Sequence, residues 1–189
     1  RTPGHGRGAA LAHTARDIAT WTALIAGGVA LLSPWLMRLV ADAGFEPLEL
    51  VPAVAIVAFG SVLSVAYLAN VHLVFSAGRS LGLSVITPLS LVIGLAVAFV
   101  AGGQKLVLVA VGFPMTYAML AVCTAWLRRH VRGKQWSEAT LLLPTGLGLV
   151  LSVLGAALPP SGAVALVRVG LTVAAAAAML WMGRRVLTA

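Results

Sequence analysis

Three side chains have the types and spacing to touch a polar or anionic group at the end of an apolar run: Asn70, His72 and Arg79. Asn70 and His72 close the stretch that opens at Leu48. Arg79 follows in the small-residue turn Ser76-Ala77-Gly78-Arg79-Ser80. An amide supplies donors and an acceptor, a neutral imidazole supplies one of each, and a guanidinium supplies a fork of donors. Together they could line a cavity wall and hold a substrate without making or breaking a covalent bond. The plainer reading, favoured by their place near the span's end, is interhelical hydrogen bonding or reaching out to the headgroups.

Other groups that could do chemistry are sparse. The acids Asp17, Asp42, Glu46, Glu49 and Glu138 all fall at the ends of apolar runs or between them. No carboxylate relay of the proton-pump kind is present inside a run. No DxD, HExxH or Walker-type loop occurs. The expectation is therefore no covalent catalysis and no cofactor. Cys123 is the one cysteine, so neither an intramolecular disulfide nor a cysteine metal site is possible, and it reads as a small apolar filler. Arg168 stands about a turn inside the last apolar run and is expected to reach back to the headgroups rather than to meet a phosphate. Trp136, within the basic link Arg128 to Ala139, reads as an interfacial anchor beside anionic lipid.

The elements that must position these groups follow from composition. Hydrophobic residues make up 60% and charged residues 10%, with a mean hydropathy of +1.02. Soluble domains carry about 25% charged residues, so this chain has too few to cover a water-facing surface. The net charge of +8 sits in short clusters between apolar runs, which is the pattern of membrane topology and argues against a nucleic-acid partner. About twenty apolar residues cross a bilayer as a helix. The runs predict six spans, at about 17–41, 50–77, 81–101, 105–127, 140–158 and 163–182, in an all-α polytopic transmembrane bundle. Residues 8–16 have helical periodicity and read as a solvated entry segment continuous with the first span.

Lysine and arginine set the expected orientation. Arg1, Arg7, Arg16, Arg79, Arg128, Arg129, Arg132, Lys134, Arg184 and Arg185 fall on one side, against Arg38, Lys105 and Arg168 on the other. The positive-inside rule then puts both termini in the cytoplasm. Since the chain starts at Arg1, it is expected to be a fragment without its N-terminal part.

Two packing expectations complete the reading. Gly148, Ser152 and Ala156 recur every four residues in the fifth run, as Gly170, Ala174 and Ala178 do in the sixth. Small residues let backbones approach closely in lipid, so these two spans are expected to pair as a hairpin. Pro88, Pro114 and Pro144 lie within runs or their first turns and predict bent helices.

A family pattern overlies residues 6–129. It consists of an entry segment from Gly6 to Arg16, a span ending Pro34-Trp35-Leu36, and Phe45 ahead of a long helix with Tyr67. That helix closes on Phe75-Ser76-Ala77-Gly78-Arg79-Ser80. A further span, a short glycine turn and a span with Tyr117 follow. In this the chain resembles the C-terminal half of polysaccharide (O-antigen type) flippases of the multidrug/oligosaccharidyl-lipid/polysaccharide exporter superfamily. Gly102-Gly103-Gln104-Lys105 departs from the Pro-x-x-Gly-type turn of that family. The resemblance implies a two-lobed helix bundle in the inner membrane, with residues 1–189 as a fragment of the second lobe. It also implies alternating access, membrane lipid around the chain and a polyprenyl-diphosphate-linked glycan as substrate. The missing N-terminal lobe would be its partner, and Asn70, His72 and Arg79 would be substrate-binding candidates. A membrane enzyme of cell-envelope glycan assembly and a non-catalytic membrane subunit are the rival expectations.

Overall fold

The computed structural model describes residues 4–41, 46–75, 80–132 and 139–187. Arg79, Lys134 and Trp136 lie outside the described residues. Among those described there is no strand. Six helices are long and apolar enough to cross a membrane, so the chain has the build of a multi-pass membrane protein.

Helix α1, Gly4–Val40, has 37 residues, a length of about 55 Å. The entry segment and the first span are one helix, because Ala, Leu and Arg dominate residues 7–16 and no proline interrupts them before Pro34. A 3-10 turn, Pro47–Leu50, leads into α2, Val51–Phe75. Helix α3 is Leu81–Gly102. The fourth run is expected as one helix from 105, yet it opens as a 3-10 helix, Leu106–Val111, and becomes α-helical only as α4, Gly112–Arg132. Pro114 explains the change, since it cannot donate to the Ala110 carbonyl that an α-helix would pair with it. Helix α5, Ala139–Ala157, stops ahead of Pro159-Pro160. Helix α6, Gly162–Leu187, starts on a glycine at φ +59, a conformation that side chains with a Cβ rarely adopt.

Helix α1 forms the hub, packing on α2, α5 and α6, while α4 packs on α2 and α3. Helix α2 is the shared wall between the two groups. The face of α1 toward its neighbours is nearly all alanine: Ala15, Ala19, Ala23, Ala26 and Ala30 are buried at helical spacing. Ala23, Ala26 and Ala30 cluster with Ala55, Ala58 and Val62 of α2. Lipid offers no hydrophobic drive for helix association, so close van der Waals contact through small side chains has to supply it.

The expected α5–α6 hairpin does not form; α5 packs on α1 and α2 instead. A Cβ on Gly155 would stand 2.6 Å from the Ala30 carbonyl carbon, and one on Gly148 would stand 2.8 Å from a Val62 methyl. By contrast, a Cβ on Gly170 would meet nothing within 4 Å, and Ala174 is exposed. Gly155 of α5 sits against Ala30 in the alanine stripe of α1, where two small residues let the backbones approach closely.

Candidate functional site

Among the described residues, the buried charged groups are two arginines, one toward each end of the helices. Near the C-terminal end of α2, Asn70 is 2% exposed and Arg128 of α4 is 1% exposed. Arg128 Nε donates to Asn70 Oδ1 at 2.8 Å, and Asn70 Nδ2 donates to the Ala66 carbonyl at 2.8 Å. One amide thus anchors to its own helix with its donor and holds a guanidinium with its acceptor. Removing a guanidinium from water costs several kcal/mol, so the polar acceptor is what allows it to lie between α2 and α4.

Arg128 was expected to open the polar link, but α4 carries on to Arg132 and Arg128 turns inward. The signal was available. Leu120, Thr124 and Arg128 recur every four residues on one face of α4, and all three are buried. Thr124 donates to Leu120 O of its own helix at 2.6 Å. Further along the same α2–α4 seam, Tyr67 and Tyr117 have ring centroids 6.3 Å apart, and Phe113 meets Tyr117 edge-on at 5.0 Å.

His72 is not part of this cluster. Two residues along a helix turn the side chain by about 200°, and His72 is exposed on the α1 side, lining a 380 Å³ groove with Leu11, Thr14 and Ile18. The structure therefore brings Asn70 to Arg128 and separates it from His72.

Arg168 of α6 contradicts the expectation that it reaches the headgroups, for it is fully buried. Its Nε donates to Leu31 O at 2.8 Å, and its Nη2 donates to Gly155 O at 2.9 Å and Ala30 O at 3.3 Å. Its Nη1 donates to Leu158 O. The Trp35 ring lies 5.8 Å from the guanidinium carbon, within cation–π range. Prolines explain why carbonyls are there to be taken. Pro34 has no N–H for Ala30 O, and Pro159 has none for Gly155 O. Arg168 takes Gly155 O, shares Ala30 O with the Ser33 hydroxyl, which donates to it at 2.7 Å, and ties α6 to α1 and α5 with main-chain acceptors. The sequence signal was a proline four residues after each of two acceptors, legible only once the helices are placed side by side.

These groups can bind, orient and brace by charge and hydrogen bonding. The chain matches no protein-family model, no curated protein and no solved structure.

Proposed function

We propose that this chain is part of a membrane transporter that flips lipid-linked oligosaccharide or polysaccharide precursors across the cytoplasmic membrane. The observation that carries the reading is the buried Arg128–Asn70 pair: an ionisable group inside a membrane bundle is a default pointer to function, and a guanidinium suits a diphosphate. The pattern of residues 6–129 supports the glycan-lipid class of substrate. Pro34 within α1 and Pro114 in the first turn of α4 are the kind of residue found in helices that rock between two states. In this reading both termini are cytoplasmic, the chain forms most of the second of two lobes, and substrate moves by alternating access without covalent chemistry. Asn70 and Arg128 would border the route, with His72 nearer the cytoplasmic mouth.

Coding sequence upstream of Arg1 is the first test. Six to eight further spans with basic residues facing a cavity support the proposal; a start codon next to Arg1, or an upstream catalytic domain, overturns it. The second test is a fluorescent polyprenyl-diphosphate oligosaccharide in vesicles holding the full-length protein. Protein-dependent flipping that Arg128→Gln slows at least tenfold is the expected result. Flipping no faster than in empty vesicles rules the proposal out.

A further inference from the structure

Tyr67 of α2 and Tyr117 of α4 stand on the helix faces that carry the Arg128–Asn70 pair. Tyr67 and Asn70 are three residues apart, and residues at that spacing share a face. On α4, Thr124 and Arg128 follow Tyr117 by seven and eleven residues, two and three turns along the same face. The two tyrosine rings lie 6.3 Å apart, and Phe113, one turn before Tyr117, meets its ring edge-on. A Cβ on Gly60 would collide with the Phe113 ring, so α2 lies close to α4 at this level.

Both tyrosines are half-buried, and among the described residues neither hydroxyl has a hydrogen-bond partner. Neither oxygen is sealed off as the Ser152 hydroxyl is. Elsewhere in the bundle the hydroxyls of Ser33, Ser61, Thr116, Thr124 and Thr172 donate to a carbonyl of their own helix. A phenol stands too far from its own backbone to do the same. Headgroups are out of reach as well. Tyr117 is 11 residues from Leu106 and 13 from His130, the ends of its span, and so at least about 16 Å from either. An unmet hydroxyl at that depth is costly, so the two phenols call for a polar partner that enters the seam.

A sugar has the chemistry to be that partner. Its C–H groups rest on an aromatic face, where the π-cloud is negative, and its hydroxyls exchange hydrogen bonds with a phenol, which both donates and accepts. An acyl chain would cover the rings and leave both hydroxyls unmet. Tyr67 lies about 4.5 Å along α2 from Asn70, close to the step from a diphosphate to the sugar it carries.

We propose that Tyr67 and Tyr117 bind the first sugar of the lipid-linked glycan, with its ring against the aromatic pair and its hydroxyls on the two phenols. The Asn70–Arg128 end then faces the diphosphate. This assignment rests on the transport reading and adds the residues that tell a glycosylated lipid from a bare one.

The test titrates full-length protein in nanodiscs with a polyprenyl-diphosphate oligosaccharide and with the same polyprenyl diphosphate lacking sugar. Wild type should bind the glycosylated lipid more tightly. Tyr67→Phe and Tyr117→Phe keep the rings and remove only the hydroxyls. Each should weaken binding of the glycosylated lipid about fivefold, the worth of one ordinary hydrogen bond, and leave the bare lipid unchanged. Arg128→Gln should weaken both. Equal losses for the two lipids would make the tyrosines structural, and no loss, or no wild-type preference for the glycosylated lipid, would leave the sugar unrecognised here. Each of these results overturns the proposal while the transport reading stands. Wild-type protein that binds neither lipid defeats the transport reading itself. A second measurement tests access to the seam. Tyr117→Cys in an otherwise cysteine-free protein should react with a water-soluble thiol reagent, and the glycosylated lipid should slow the reaction. No reaction, or one that the lipid does not slow, also overturns the proposal.

Discussion

Arg168 takes the carbonyl of Ala30, which Pro34 leaves without a main-chain donor. The proline inside α1 and the arginine that enters from α6 are two halves of one arrangement, although 134 positions separate them. A kink in lipid is stable only if something re-satisfies the freed backbone groups, and here an arginine from another helix does so.

Replacing Arg168 with Met should therefore cost more than lost packing. It leaves the Gly155 carbonyl buried without that donor, whereas Ser33 Oγ still donates to Ala30 O at 2.7 Å, and an unmet buried acceptor costs about 1–3 kcal/mol. Lys keeps the charge but not the fork, so it should recover only part of the loss. Thermal unfolding in detergent should rank wild type above Arg168→Lys and Arg168→Lys above Arg168→Met; equal stability of the three would remove Arg168 from its bracing role.

The pairing with proline gives a sharper test. In Pro34→Ala the new backbone N–H takes Ala30 O, so Arg168 has less left to satisfy. Arg168→Gln should then destabilise the Pro34→Ala protein less than it destabilises wild type. A coupling of about 1 kcal/mol in the double-mutant cycle is the expected size, and strict additivity would show that proline and arginine act independently.

Much of the fold was legible in the sequence because crossing a bilayer imposes length and apolarity on each helix separately. Six runs gave six helices in nearly the expected places. What failed was pairwise. The Gly148 and Gly170 stripes look equivalent along the chain, but Gly148 packs on Val62 of α2 while a Cβ at Gly170 would meet nothing within 4 Å. Arg128 read as a topological charge because it begins a run of basic residues; its burial depends on Asn70, 58 positions away. His72 and Asn70, neighbours in sequence, diverge because a helix turns about 100° per residue.

The Arg128–Asn70 contact should behave as a buried pair in which either single loss is worse than the joint one. Asn70→Leu takes the Oδ1 acceptor from Arg128 Nε, and Arg128→Met takes that donor from the Asn70 amide oxygen. A hydrogen bond to a charged group contributes about 1.5–3 kcal/mol, and removing both partners together can be nearly neutral. The double variant Asn70→Leu/Arg128→Met should therefore unfold at a higher temperature than either single variant. A double variant as unstable as the two single losses added would show that the residues do not act on each other.

Glycines on α5 separate contact from mere helix propensity. Gly155→Ala would push a methyl into the Ala30 backbone and shift the Gly155 carbonyl off Arg168, so overpacking of about 1–3 kcal/mol is expected. Gly146 lies in the same helix, and a Cβ there would meet nothing within 4 Å. Gly146→Ala should stabilise by about 0.5–1 kcal/mol through reduced backbone entropy alone. The same chemical change thus carries opposite signs nine positions apart. Measured in the same detergent, a loss at Gly155 beside a gain at Gly146 places α5 on α1; losses of equal size at both would mean that α5 has a different neighbour.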